Sequence, residues 1–157
     1  MKSICFLSLG TNIGDKYENL NTAIQYISNN IGTIENQSSI FKTEPWGFIS
    51  ENTFLNMAIE ISTNLFPLDI LNETQKIEIQ MGRTQKTQQS SYQDRLIDID
   101  LILYDNLIIK TQELQIPHPL FHKRDFVLKP LCEIAPDYIH PILGKTVKEL
   151  YFYNEVI

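Results

Sequence analysis

Two hydrophobic periods run through the chain, and their succession predicts its elements. Ile4 to Leu9 is a short apolar run that reads as a first strand. Gly10 to Asp15 is a turn containing two glycines, and Asp15 is placed to cap a helix. Leu20, Ala23, Ile24, Ile27 and Ile31 then recur at helical spacing, with Gly32 as a stop. Thr33 to Lys42 is polar but carries Ile34, Ile40 and Phe41, and reads as a second strand. In Phe54–Ile61 the period is two: Leu55, Met57, Ile59 and Ile61 mark a core face, while Phe54, Asn56, Ala58 and Glu60 share the other. Pro67 opens a second helix at the position where proline is tolerated. Ile70, Leu71, Thr74, Ile77 and Met81 mark its inner side, Glu78 faces inward or nearly so, and Gly82-Arg83 closes it.

The stretch Arg95–Tyr104, RLIDIDLILY, reads as a strand that is apolar except for Arg95, Asp98 and Asp100. Alternation puts Ile97, Ile99, Leu101 and Leu103 on one face and Asp98 with Asp100 on the other. Same-face neighbours in a strand lie roughly 6.5–7 Å apart, so the two carboxylates can converge on hard cations. Aspartate is depleted in strands, so two in three positions favour a use over the alternative of a half-exposed strand with solvated acids. Further on come a turn at Asp105-Asn106, a short strand at Leu107–Ile109 and a compact block from Pro117 to Phe126. Val127 to Ala135 reads as a short helix or turn, Ile139 to Leu143 as a strand or loop, and Thr146 to Tyr153 as a terminal helix.

Two loops stand out. Thr43-Glu44-Pro45-Trp46-Gly47-Phe48 combines breakers with aromatics, which suits either a pocket wall that closes over a ligand or simple loop packing. Residues 84–94, TQKTQQSSYQD, are nearly free of aliphatics. Disorder and a flexible flap both fit, and the direct entry into Arg95 and the acidic strand favours a flap.

Length and composition narrow the classes. With 157 residues, 43% of them hydrophobic, the chain fits one domain, 1–157, with its own core. A net charge of −6 makes it a poor general binder of nucleic acid or anionic membrane. Cys5 and Cys132 are isolated in apolar company and read as reduced core thiols. The N-terminal apolar run is too short to span a membrane and ends in a polar turn, which places the protein in the cytoplasm. No internal repeat or low-complexity tail is visible.

The chemistry follows from what lies near the two aspartates. Gly10–Asp15 lacks the Lys-Ser/Thr pair of a Walker loop and the third glycine of a dinucleotide fingerprint. His118 and His122 lack the cysteine or histidine company of a zinc site. No GxSxG, HExxH or Cys-His nucleophile arrangement appears. Paired carboxylates, arginines on either side, a polar flap and an aromatic wall are instead what phosphoryl or pyrophosphoryl transfer asks for. Asn56 beside Phe54 offers a planar amide next to an aromatic, suited to a flat, polar-edged ligand or to an ordinary half-exposed face.

In these blocks the chain resembles the 6-hydroxymethyl-7,8-dihydropterin pyrophosphokinase family of folate biosynthesis. The likeness is carried by LSLGTN at 7–12, KTEPWG at 42–47, FLN at 54–56 and QKIEIQMGR at 75–83. RLIDIDLILY at 95–104 and IPHPLFHKRDFVLKPLCEIAP at 116–136 complete it. The resemblance implies a ferredoxin-like α/β domain with a mainly antiparallel sheet. Its groove would bind ATP and the pterin side by side. It also implies transfer of the β,γ-pyrophosphoryl group to the hydroxymethyl oxygen, with AMP leaving. Asp98 and Asp100 would hold two Mg²⁺ ions, and Arg83 and Arg95 would serve the triphosphate and the chemistry. Glu78, Ile99, His118 and Arg124 would line the ATP site, with Glu78 ordering its neighbours rather than acting as base. Phe54 and Phe126 would sandwich the pterin, and Gly10, Thr43, Pro45, Trp46 and Asn56 would read its polar edge. A monomer is expected, open to association with a neighbouring folate-pathway enzyme.

Some positions depart from the family pattern. Thr11 stands where serine is frequent, Gln93-Asp94 replaces a usual Gly-Pro before Arg95, and Leu96 replaces a threonine or isoleucine. Phe54 is often tyrosine, and Pro119 replaces a frequent aromatic. These changes bear on loop dynamics and ATP affinity, and leave both metal-binding acids in place.

Overall fold

The computed structural model describes residues 2–43, 53–82 and 96–156, with side chains described through residue 153. Strand β1 (Ser3–Thr11) pairs antiparallel with β4 (Phe54–Thr63) on one side and with β5 (Asp98–Tyr104) on the other. Strand β2 (Thr33–Gln37) continues the sheet beyond β4, giving the order β2-β4-β1-β5, and β3 (Phe41–Thr43) also pairs with β4. A separate hairpin joins β6 (Ile109–Lys110) to β7 (Gln115–Ile116). The result is a mixed α/β fold with an antiparallel sheet and packed helices.

Helices α1 (Lys16–Asn30) and α2 (Pro67–Gln80) cover one face of the sheet. Asp15 caps α1, its Oδ1 accepting from the Glu18 amide at 3.2 Å, and Pro67 sits at the start of α2. Cys5, Leu7 and Leu9 from β1 meet Leu55, Met57, Ile59 and Ile61 from β4 in this core, as the two-residue period predicts. Each fully buried Leu or Ile adds about 1.5–3 kcal/mol. Cys5 is fully buried, which pushes its thiol well above the ordinary range, and Cys132 is half-buried; both are free.

A second core lies on the opposite face, under α3 (Asp125–Ile134) and α4 (Val147–Val156). It takes Phe6, Ala58, Ile102 and Leu103 from the sheet and Phe121 from a short 3-10 turn, Phe121–Lys123. Helix α3 accommodates the buried Pro130. The start of α4 is a capping box: the Glu149 amide donates to Thr146 Oγ1 at 3.1 Å, and the Thr146 amide donates to Glu149 Oε1 at 2.9 Å.

Three expectations from the sequence are corrected. Leu103 does not share a face with Ile97, Ile99 and Leu101. The pairing shifts by one residue, from Leu7↔Leu101 to Phe6↔Leu103, and this bulge turns Leu103 into the second core. The extra residue, Ile102, gives its carbonyl to the His118 amide at 2.9 Å. Next, 33–42 is not one strand. It breaks at Ser38, whose hydroxyl accepts from the Ala58 amide at 2.9 Å and so satisfies β4 in place of a regular ladder. Finally, the strand expected at 107–109 begins at Ile109, after a turn in which the Leu107 amide donates to the Tyr104 carbonyl at 3.0 Å.

Candidate active site

Helices α3 and α4 cover only part of the second face. On the same face, toward the Gly10 end of β1, the register aligns Asn56, Gly10 and Asp98 in one row. Ala58, Ser8 and Asp100 form the next. Strand pairing therefore does what the separate motifs could not: it brings the amide of β4 and the carboxylates of β5 onto one surface, with a glycine between them.

Asn56 is 4% exposed and held by Thr43, whose Oγ1 accepts from its Nδ2 at 2.6 Å. This bond turns the amide oxygen toward Gly10, where a Cβ would stand 3.0 Å from Asn56 Oδ1 and 3.7 Å from the Phe54 ring. Gly10 thus keeps open the floor between the amide and Asp98. Phe54 stands half-buried at the start of β4, on the Asn56 face.

Asp98 and Asp100 are half-buried side chains in a strand whose other residues are buried. Between them, the Ile99 amide donates to Glu78 Oε2 at 2.9 Å. Glu78 is 6% exposed and reaches this edge amide from α2, facing inward as its helical spacing predicts. Among the described residues, no group of three His, Cys, Asp or Glu gathers to hold a metal.

The cationic side comes from the block that follows β7. The Arg124 guanidinium lies 5.8 Å from the centre of the Phe126 ring, an arrangement that presents charge beside an aromatic face. His118 Nδ1 accepts from the Leu120 amide at 3.3 Å, which leaves the imidazole proton on Nε2. Burial, with the Arg124 charge second, pulls the His118 pKa down to about 4. His118 is therefore a neutral hydrogen-bond donor at ordinary pH. It also lines a cleft of about 350 Å³ with Lys110, Gln115, His122 and His140; Gly10, Asn56, Asp98 and Asp100 are not among its walls.

Arg83, Arg95, Pro45 and Trp46 lie outside the described residues, as do most of the expected aromatic loop and the flap. Two side chains absent from the sequence-based set, Thr11 and Asn19, hold the entrance to β5. The available signal was a polar residue, Thr11, continuing the core-facing series Cys5, Leu7, Leu9.

Two carboxylates on one strand beside an amide and an aromatic on another are a donor set suited to a small-molecule enzyme of the phosphate-handling kind. Comparison with known proteins agrees: the family model for 7,8-dihydro-6-hydroxymethylpterin-pyrophosphokinase (HPPK) matches residues 6–136. A 2-amino-4-hydroxy-6-hydroxymethyldihydropteridine pyrophosphokinase of Porphyromonas gingivalis is 42% identical over 140 residues, covering 88% of this chain and 95% of the relative. The protein of the same description from Aquifex aeolicus is 38% identical, with 92% and 88% covered. Among solved structures, wild-type Plasmodium falciparum HPPK-DHPS with pteroate superposes with a TM-score of 0.81 at 17% identity. That match covers 98% of this chain and 44% of the Plasmodium chain, and it speaks for the fold. The chain belongs to the HPPK family and is a pyrophosphokinase.

Proposed function

We propose that the protein transfers the β,γ-pyrophosphoryl group of ATP to the hydroxymethyl oxygen of 6-hydroxymethyl-7,8-dihydropterin, with Mg²⁺, in folate biosynthesis. The observation that carries this reading is the row Asn56–Gly10–Asp98, which sets a heterocycle-reading amide beside a carboxylate across a single glycine. The sheet supports the finer fold reading too. The succession β1-α1-β2-β4-α2-β5 with order β2-β4-β1-β5 suits a ferredoxin-like sandwich.

Each residue has a role that its placement suits. Asn56, fixed by Thr43, hydrogen-bonds the polar edge of the pterin, and Phe54 and Phe126 supply the stacking surfaces. Neutral His118 donates from Nε2 to a phosphate oxygen, and Arg124 adds a bidentate charge. Arg83 and Arg95 are proposed from sequence to serve the triphosphate. Asp98 and Asp100 fit Mg²⁺: a small octahedral cation is held by one or two carboxylates plus substrate phosphates, and needs no third protein ligand. The metal supplies charge neutralisation on the phosphate oxygens. In the transfer, the bond from the α,β-bridging oxygen to the β-phosphorus breaks and the hydroxymethyl oxygen bonds that phosphorus. AMP leaves with the bridging oxygen, and the hydroxyl proton departs, Asp98 being the candidate acceptor if a side chain takes it.

The deciding assay follows AMP and pterin diphosphate together in the presence of ATP and Mg²⁺. The expected result is AMP formation that requires the pterin and collapses in Asp98→Ala and Asp100→Ala with the fold intact. Folded, metal-supplied protein that makes neither product would overturn the assignment.

A further inference from the structure

Thr11 has no surface exposure, yet its hydroxyl is engaged twice. Oγ1 donates to the Leu96 carbonyl at 2.5 Å and accepts from Asn19 Nδ2 at 3.1 Å. Asn19 Nδ2 also reaches the Ile13 carbonyl at 3.0 Å. A single buried hydroxyl thus ties together the end of β1, the first turn of α1 and the residue two positions before Asp98. The side chain of Leu96 completes the knot. A Cβ on Gly14 would lie 3.5 Å from Leu96 Cδ1, and one on Gly82 would lie 3.0 Å from Leu96 Cδ2. Both glycines have positive φ, +73° and +121°, so the backbone passes close to Leu96 in a conformation that other residues adopt poorly.

We propose that Thr11 is a positioning residue for the carboxylate strand. Its hydroxyl holds the Leu96 carbonyl, and this fixes the backbone that carries Asp98 into line with Gly10. Thr11 lies on the helix side of the sheet, opposite the ligand face, and acts only through the strand. The inference rests on the reading of Asp98 and Asp100 as the acids that meet Mg²⁺ and phosphate. It predicts that removing the hydroxyl loosens the start of β5 first and weakens metal use second, while the β1–β4 pairing keeps its protection.

Thr11→Val removes the hydroxyl at nearly constant volume, and Thr11→Ser keeps it. In Thr11→Val the amides from Ile97 to Asp100 are expected to exchange about tenfold faster, with those of β4 unchanged. The Mg²⁺ concentration for half-maximal activity is expected to rise about fivefold, more than any fall in kcat at saturating metal. Thr11→Ser is expected to restore both. Exchange that rises equally in β4 and β5 with unaltered Mg²⁺ dependence would show a general stability role and overturn the proposal, as would no change in either. If Thr11→Val does not fold, Asn19→Ala removes the hydroxyl's own support. It must then show the same exchange pattern at smaller amplitude, about threefold, and its absence overturns the proposal. Should wild-type protein make no AMP with the pterin, the functional reading fails on its own, and the exchange comparison still decides the role of Thr11.

Discussion

The Ile99 amide, on the edge strand between the two aspartates, donates to Glu78 Oε2 across 2.9 Å, so an acid of α2 satisfies the sheet edge that carries the carboxylates. Removing that acceptor leaves a buried donor without a partner, at a cost of about 1–3 kcal/mol. Glu78→Ala is therefore expected to lose stability in that range, and Glu78→Gln, which keeps an acceptor, clearly less. Urea denaturation of the two variants checks this, and equal losses would contradict the assignment of the contact.

Gly10 separates the Asn56 amide, proposed to read the pterin, from Asp98. The Cβ of Gly10→Ala would press on Asn56 Oδ1 at 3.0 Å and displace the amide that Thr43 holds. The expected outcome is a KM for the pterin raised about tenfold with the KM for ATP little changed. Steady-state kinetics with each substrate varied in turn tests it. Equal effects on both substrates would place the disturbance elsewhere.

His118 titrates far below an ordinary histidine because burial, and then the Arg124 charge, disfavour the imidazolium. The sign follows from which state holds the proton. With a folded pKa of about 4 against 6.5, the unfolded chain binds the proton first. The contribution of His118 to stability is complete above pH 6.5 and is lost as pH falls toward 4. The slope from this group approaches about 1.4 kcal/mol per pH unit within that window. The ring-proton NMR titration of ligand-free protein should have its midpoint near 4, and a midpoint at 6 or above would be inconsistent with the burial.

Phe121 anchors the second core, fully buried and stacked on His140 with ring centres 5.4 Å apart. Phe121→Ala is expected to cost about 3–5 kcal/mol, a large part of the stability of a domain this size. The 3-10 turn it anchors leads into Arg124, so ATP affinity should weaken along with stability. Thermal unfolding with and without the nucleotide separates the two effects.

Much of this was legible in the residues themselves. The two-residue period of β4 separated its two faces correctly, with Leu55, Met57, Ile59 and Ile61 in the first core and Ala58 on the opposite side in the second, because each side chain in a strand has a fixed face once the run is regular. Asp15, Pro67 and Gly82 marked helix ends through purely local chemistry. Glu78 could be placed inward by spacing, but not joined to Ile99, since nothing local links α2 to the edge of β5. The same holds for Thr11 and Leu96, which are 85 residues apart.

The amino-acid sequence alone thus determined most of the elements, the faces of regular strands, the family and the identity of the candidate groups. Those depend on neighbours along the chain and on motifs that survive without a fold. Only the tertiary structure decided that Asp98 stands across Gly10 from Asn56, that Leu103 turns over at a bulge, and that Thr11 holds the start of the acid strand. Strand register and a bulged ladder are set by which remote backbone groups find partners, a condition that only the packed sheet can impose.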